Sequence, residues 1–403
     1  MMKFTARDRL RLLGGGLSLA LAGCGGGANS NLSSGSVTPP VTPPETPPAG
    51  SSNALEEGLL RDRFQTDFKV GAVLSRNQIE QSDINTTLAL SQFNSLTPSF
   101  ELKPDTIAPT EGVFNFEAAD RVVDWAISNG MDVRGHALVW HVATPEYFYQ
   151  GTPAEIRARL ENYVQTVVAH FRGRISVWDV VNEVVSVDIF RGDGTGVGPD
   201  RRGRWFEAVG NADYIDWAFR AAREADPNAL LFLNEYATEH PIKQPWLLEI
   251  LQRLQDRGVP IDGVGHQFHL FQDSDPVQLM QAIDAVDNQF MGLIQHVTEL
   301  DMDFYNDPGS CWSAGENCDP DLGPTAPPAM LARQAEVFRA VFEGLRGRSS
   351  VTSVTTWGVT DNESWLNTSP TERSNFPLLF DREGEPKPAF WAVVDPDYVI
   401  PTE

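Results

Sequence analysis

The stretch Ile175-Ser176-Val177-Trp178-Asp179-Val180-Val181-Asn182-Glu183 decides how the chain is read. Ile175, Val177, Val180 and Val181 supply the β-branched bulk of a buried strand. The run closes on Asn182 and Glu183, where a strand should pass into a loop. An acid at the end of an apolar strand is costly to bury unless something pairs with it or uses it. In a barrel of parallel strands that end is where chemistry collects. The plainer alternative is a glutamate that emerges into solvent and caps a turn.

Outward from this run, apolar strand-like segments alternate with amphipathic ones, the pattern of a parallel α/β fold. Strands are expected over 68–73, 95–100, 132–140, 176–183, 229–236, 263–269, 293–301 and 351–361. Helices are expected over 116–129, 152–171, 214–225, 246–257, 276–290, 329–345 and 388–394. Pro153 suits a first helical turn, and Gly130 and Gly258 suit helix ends. Eight strands alternating with helices predict a (β/α)8 TIM barrel as one catalytic domain over 54–403. The competing open, doubly wound sheet lacks a Gly-x-Gly-x-x-Gly after its first strand.

The 403 residues are 41% hydrophobic and 21% charged, enough for a large core, and carry a net charge of −24. That charge disfavours nucleic acid as a partner and suits a neutral ligand such as a polysaccharide. Residues 1–24 read as a signal: a basic start at Lys3, Arg7, Arg9 and Arg11, then an apolar run too short to span a bilayer, closing on Leu21-Ala22-Gly23-Cys24. Small residues before a cysteine resemble the lipobox of bacterial lipoproteins, which implies lipid on Cys24 and anchoring in the cell envelope; the alternative is an ordinary secretory signal. Residues 25–53, rich in Gly, Ser, Thr and Pro, form a linker that cannot bury a core. Cys311 and Cys318 could bridge in an oxidising compartment or remain free thiols.

The expected strand ends carry Glu101 and Lys103; His136, Trp140 and His141; Asn182 and Glu183; Asn234, Glu235 and Tyr236; Gln267 and His269; Glu299 and Asp301; Trp357 and Asp361. Scattered surface polarity would not keep selecting one end. Period two places Glu299 and Asp301 on one face and Gln267 and His269 on another, so His269 should lie between the two acids. Glu183 and Glu299 then face each other across the mouth, the arrangement of glycoside hydrolysis: one carboxylate attacks, the other protonates the leaving oxygen. Trp140, Trp357 and Trp365 offer flat faces to sugar rings or, for Trp140, to the core. His136 and His141 stand on opposite faces of a strand, which disfavours a shared metal, and no cofactor is implied. A sugar-binding lipoprotein without catalysis would need aromatics and amides but no pair of acids.

Phe93-Asn94-Ser95-Leu96-Thr97-Pro98, Val133 to His141, Trp178 to Glu183, Gln267-Phe268-His269, Thr298-Glu299-Leu300-Asp301 and Thr356-Trp357-Gly358 together resemble glycoside hydrolase family 10 endo-β-1,4-xylanases, from about Phe68 to Ala389. The resemblance implies hydrolysis of xylan or xylo-oligosaccharides with retention, and the chain is expected to act as a monomer. It implies Glu183 as acid/base, Glu299 as nucleophile, His269 and Asp301 as its support, and Asn182 on the sugar 2-hydroxyl. Lys103, His136, Gln267 and Trp357 would line the glycone side. The chain departs from the family at Ser99 and Phe100, where Glu-Asn is usual, at Ala143 in place of Gln, and at Ala237 in place of Asn. Those changes leave room for a related activity on another β-1,4-glycan or an aryl β-glycoside.

Overall fold

The computed structural model describes residues 59–186 and 198–401, so the signal, Cys24 and the linker lie outside the described residues. Nine parallel strands form the sheet: β1 Lys69–Leu74, β2 Ser95–Pro98, β3 Asp132–Gly135, β4 Val177–Asn182, β5 Leu230–Glu235, β6 Gly263–His266, β7 His269–Phe271, β8 Ile294–Asp303 and β9 Val351–Thr356. Sequential pairing runs from β1 to β6, then β6 to β8, β8 to β9, and β9 back to β1, which closes the barrel. The order follows the chain because each crossover carries a helix that packs back on the sheet.

The barrel has eight staves, one of them broken. β6 pairs with the first half of β8, Gly263 opposite Ile294, and β7 pairs with its second half, His269 opposite Asp301. Between them Phe268 takes a left-handed conformation, φ 51°. The single strand expected over 263–269 is thus interrupted at Gln267, and period two does not carry across the break. Other expected strands are shorter than read, and β2 ends at Pro98, before Ser99 and Phe100. β3 ends at Gly135, so His136 to His141 belong to a loop and the opposite-face argument for the two histidines does not apply. β9 ends at Thr356, before Trp357 and Asp361.

The surrounding helices start where sequence chemistry says they should. Thr152 caps the helix Pro153–His170 and exchanges hydrogen bonds with Glu155 in a capping box; Asp275 caps Pro276–Gln289. Each supplies an acceptor for N–H groups with no partner inside the helix. Their buried faces (Ile156, Leu160, Val164 and Val167 on the first, Leu279, Ile283 and Val286 on the second) join one continuous apolar core. A second, small cluster of Phe304, Tyr305, Ala326 and Phe376 packs under the long segment after β8. In that segment Cys311 and Cys318 form a disulfide.

A bulge in β4 matters for the site. Asp179 pairs with Phe232 and Val181 with Leu233, so Val180 is an extra residue on its strand. Strict alternation would send Asp179 and Asn182 to opposite faces; the inserted residue turns both inward.

Candidate active site

Polar side chains at the C-terminal mouth form one connected network. Glu183 follows β4 directly, at φ 58°, a conformation that costs a non-glycine residue energy and is tolerated where the surroundings dictate it. Glu299 comes from within β8 and is almost wholly buried. Asn234, on β5, joins the two sides: its Nδ2 donates to Glu299 Oε1 at 2.7 Å and to Asn182 Oδ1 at 2.9 Å. Gln267 Nε2 donates to the same Asn182 oxygen at 3.2 Å and reaches Glu183 Oε1 at 3.5 Å, and Asn182 Nδ2 lies 3.4 Å from that carboxylate oxygen. The amides therefore span from one acid to the other.

Glu299 is braced from its other side. His269 Nε2 lies 3.3 Å from Glu299 Oε2 and its Nδ1 lies 2.7 Å from Asp301 Oδ1. Burial alone would lower the imidazole's pKa, but Asp301 first and Glu299 second outweigh it and push it up to about 10. The ring is thus a cation that donates from both nitrogens. Asp301 Oδ2 accepts the Trp365 indole N–H at 2.8 Å, which ties that aromatic wall to the same carboxylate.

The remaining expected residues lie on one side of the mouth. His136 Nδ1 sits 3.0 Å from Asp179 Oδ2, and Asp179 is gripped by Arg134. Burial raises the Asp179 pKa, yet Arg134 and His136 together hold it below the ordinary range, so a buried carboxylate orients His136. Trp357 meets His136 edge-on at 5.2 Å, and Trp140 lies 6.3 Å from it. Lys103 is buried with its Nζ between the rings of Phe100 at 4.9 Å and Trp140 at 5.2 Å. Phe100 itself is 52% exposed.

Several residues at the strand ends serve structure. Glu235 pairs with the fully buried Lys243 at 2.7 Å, and Asp361 pairs with Lys387 at 2.9 Å. Glu101 accepts the backbone N–H groups of Arg76 and Phe100 at 2.6 and 3.0 Å, which commits one lone pair on each carboxylate oxygen to the backbone. Sequence reasoning did not assign site roles to Asn234, Asp179, Arg134, His141 or Arg201. Asn234 left a trace as a polar residue in the apolar run Leu231-Phe232-Leu233, with Gly265 beside it: a Cβ there would meet Asn234 Oδ1 at 2.2 Å. Asp179 was hidden by the bulge.

The family model for glycosyl hydrolase family 10 matches residues 59–396. The chain is 37% identical over 361 residues to a thermostable celloxylanase of Thermoclostridium stercorarium, covering 84% of this chain and 87% of that protein. It is 39% identical over 354 residues to endo-1,4-beta-xylanase A of Thermotoga neapolitana, covering 85% of this chain but spanning only 31% of that longer protein. The structure of xylanase B from Clostridium stercorarium F9 is similar, with a TM-score of 0.75 and 35% identity over 84% of this chain and 99% of that one.

Proposed function

The chain belongs to glycosyl hydrolase family 10, and from that premise we infer that it cleaves internal β-1,4-xylosidic bonds of xylan with retention of configuration. The observation that carries the reading is the pair Glu183 and Glu299, linked through Asn182, Asn234 and Gln267 and flanked on one side by His136, Trp357 and Trp365.

Glu299 attacks the anomeric carbon. Asn234 and the His269 cation fix its two oxygens, so its attack needs little reorganisation. Glu183 gives a proton to the departing oxygen, then takes one from the water that hydrolyses the glycosyl-enzyme. A bound sugar excludes water from Glu183, and this added burial favours the protonated form the first step requires. Asn182 and Gln267 donate to ring hydroxyls, while the tryptophans supply apolar faces.

The test is early-time proton NMR of the products from linear xylan. Retention gives the β-anomer first; an α-anomer first would reject the mechanism. Glu299→Ala should abolish turnover. Glu183→Ala should still release a good aryl leaving group in a burst, with azide restoring turnover.

The reading includes the N-terminus: Cys24 carries lipid, and residues 25–53 tether the catalytic domain to an envelope membrane. The basic start, the short apolar run and the small residues before Cys24 support it. The wild-type protein should partition into detergent and Cys24→Ala into the aqueous phase; a free Cys24 thiol in the mature protein would reject it.

A further inference from the structure

Residues 198–201 fold back across the exit of β4. The Ser186 N–H donates to the Pro199 carbonyl at 2.7 Å, the Arg201 N–H to the Val184 carbonyl at 2.8 Å, and Val185 and Asp200 form an antiparallel bridge. Asp200 is clamped by the Arg253 fork at 2.7 and 2.6 Å, which pins the position of the next residue. Arg201 is thereby delivered to the side of Glu183. Its Nη2 donates to the Tyr236 hydroxyl at 3.0 Å and lies 3.8 Å from Glu183 Oε2, and its Nη1 lies 3.5 Å from His141 Nε2.

The guanidinium can only donate, so His141 Nε2 must accept and the imidazole proton sits on Nδ1. That nitrogen lies 3.9 Å from the same Glu183 oxygen and has no other partner among the described residues. We propose that Arg201 is a positioning residue for the acid/base step: it places a fixed positive charge beside Glu183, turns the Nδ1–H of a neutral His141 toward that carboxylate, and so sets the pH above which the enzyme loses its general acid. The proposal rests on the assignment of Glu183 as acid/base.

The charged and titratable groups around Glu183 are His141, Arg201, Lys243, Lys103, Glu235 and Tyr236. Lys243 is paired with Glu235, which offsets its field, and Lys103 lies against Phe100 and Trp140. Burial pushes the Glu183 pKa up, but His141 first, then Arg201, with smaller help from the Trp140 indole and Lys243, hold it below the ordinary range. His141 is itself pushed down to about 4 by burial and by Arg201, so near neutral pH the lasting unpaired cation beside Glu183 is Arg201. The two chemical steps make opposite demands. Arg201 favours the ionised Glu183 that acts as base in deglycosylation and limits the protonated form needed for glycosylation.

The experiment compares wild type, Arg201→Gln and Arg201→Lys on an aryl β-xylobioside with a poor leaving group, reading kcat/KM against pH. Arg201→Gln should move the alkaline limb upward by about one pH unit, as expected for loss of an opposite charge within 4–6 Å. Arg201→Lys, which keeps the charge, should stay near wild type. Arg201→Met, which keeps the apolar stem, gives the same reading if the Gln variant does not fold. On a good leaving group, where deglycosylation limits turnover and Glu183 must be ionised, both neutral variants should move the acid limb of kcat upward by a similar amount. A folded neutral variant with an unchanged alkaline limb overturns the role of Arg201. The Glu183→Ala profile separates the two readings: loss of the alkaline limb there keeps the Glu183 assignment whatever Arg201 does, and its persistence overturns both.

Discussion

Replacing Asp301 by Asn would remove the group that keeps His269 charged. The histidine is raised from 6.5 to about 10 despite burial, with Asp301 at 2.7 Å the foremost favourable partner and Glu299 at 3.3 Å the second. At about 1.4 kcal/mol per pH unit, the two carboxylates favour the cation by about 5 kcal/mol beyond what burial costs. Most of that belongs to Asp301, so in Asp301→Asn the imidazole returns toward the neutral range and loses its proton as pH rises through it. Glu299 then exchanges a charged donor for a neutral one, and a hydrogen bond to a charged group contributes about 1.5–3 kcal/mol. The kcat/KM on a xylobioside with a good leaving group should fall roughly tenfold to a hundredfold at pH 8 and much less at pH 5, where His269 is still protonated. Imidazole NMR should show a titration between pH 6 and 9 that wild type lacks. The folded-state value lies above the unfolded one, so the contribution to stability is full below about pH 6.5 and disappears as pH rises through about 10. The thermal stability gap between wild type and variant should therefore be widest in mild acid. An imidazole that does not titrate in the variant, or an equal loss of activity at pH 5 and 8, would refute this account.

Glu101→Gln should lower stability by about 1–3 kcal/mol in thermal melts, because its carboxylate holds two backbone N–H groups, with KM on xylan nearly unchanged; a raised KM at unchanged stability would instead place it on the sugar. The double change Ser99→Glu with Phe100→Asn should raise kcat/KM on linear xylan about tenfold by restoring hydrogen-bonding groups beside Lys103, and an unchanged value would mean that Phe100 already serves the subsite by stacking. Ala237 sits at φ 49°, which asparagine tolerates better than alanine, so Ala237→Asn should stabilise by about 0.5–1 kcal/mol; a lowered melting temperature would contradict it.

The alternation of apolar and amphipathic runs was enough to predict a closed parallel barrel, because each strand buried on both faces must be nearly all apolar and each helix must show one apolar stripe. The final helix, Pro388–Val394, appears with the limits its pattern predicts, since a proline start and a compact apolar run define both ends locally. Glu183, Glu299, His269 and Asp301 were legible for a related reason: polar groups that interrupt apolar strands at one end are conspicuous in a linear text. Alternation failed where the backbone departs from it. Asp179 and Asn182 share the interior only because Val180 is inserted, and His269 meets both Glu299 and Asp301 because the sixth stave breaks at Phe268 and resumes against the far half of β8. Arg201 and His141 come from segments 60 residues apart, and neither motif spacing nor periodicity relates them. The sequence by itself therefore determined the barrel and showed the strand ends at which Glu183 and Glu299 stand, both of which follow from local pattern. Only the tertiary structure decided which groups charge, orient and bridge those acids, because hydrogen bonds and fields depend on distances of a few ångströms that chain order does not encode.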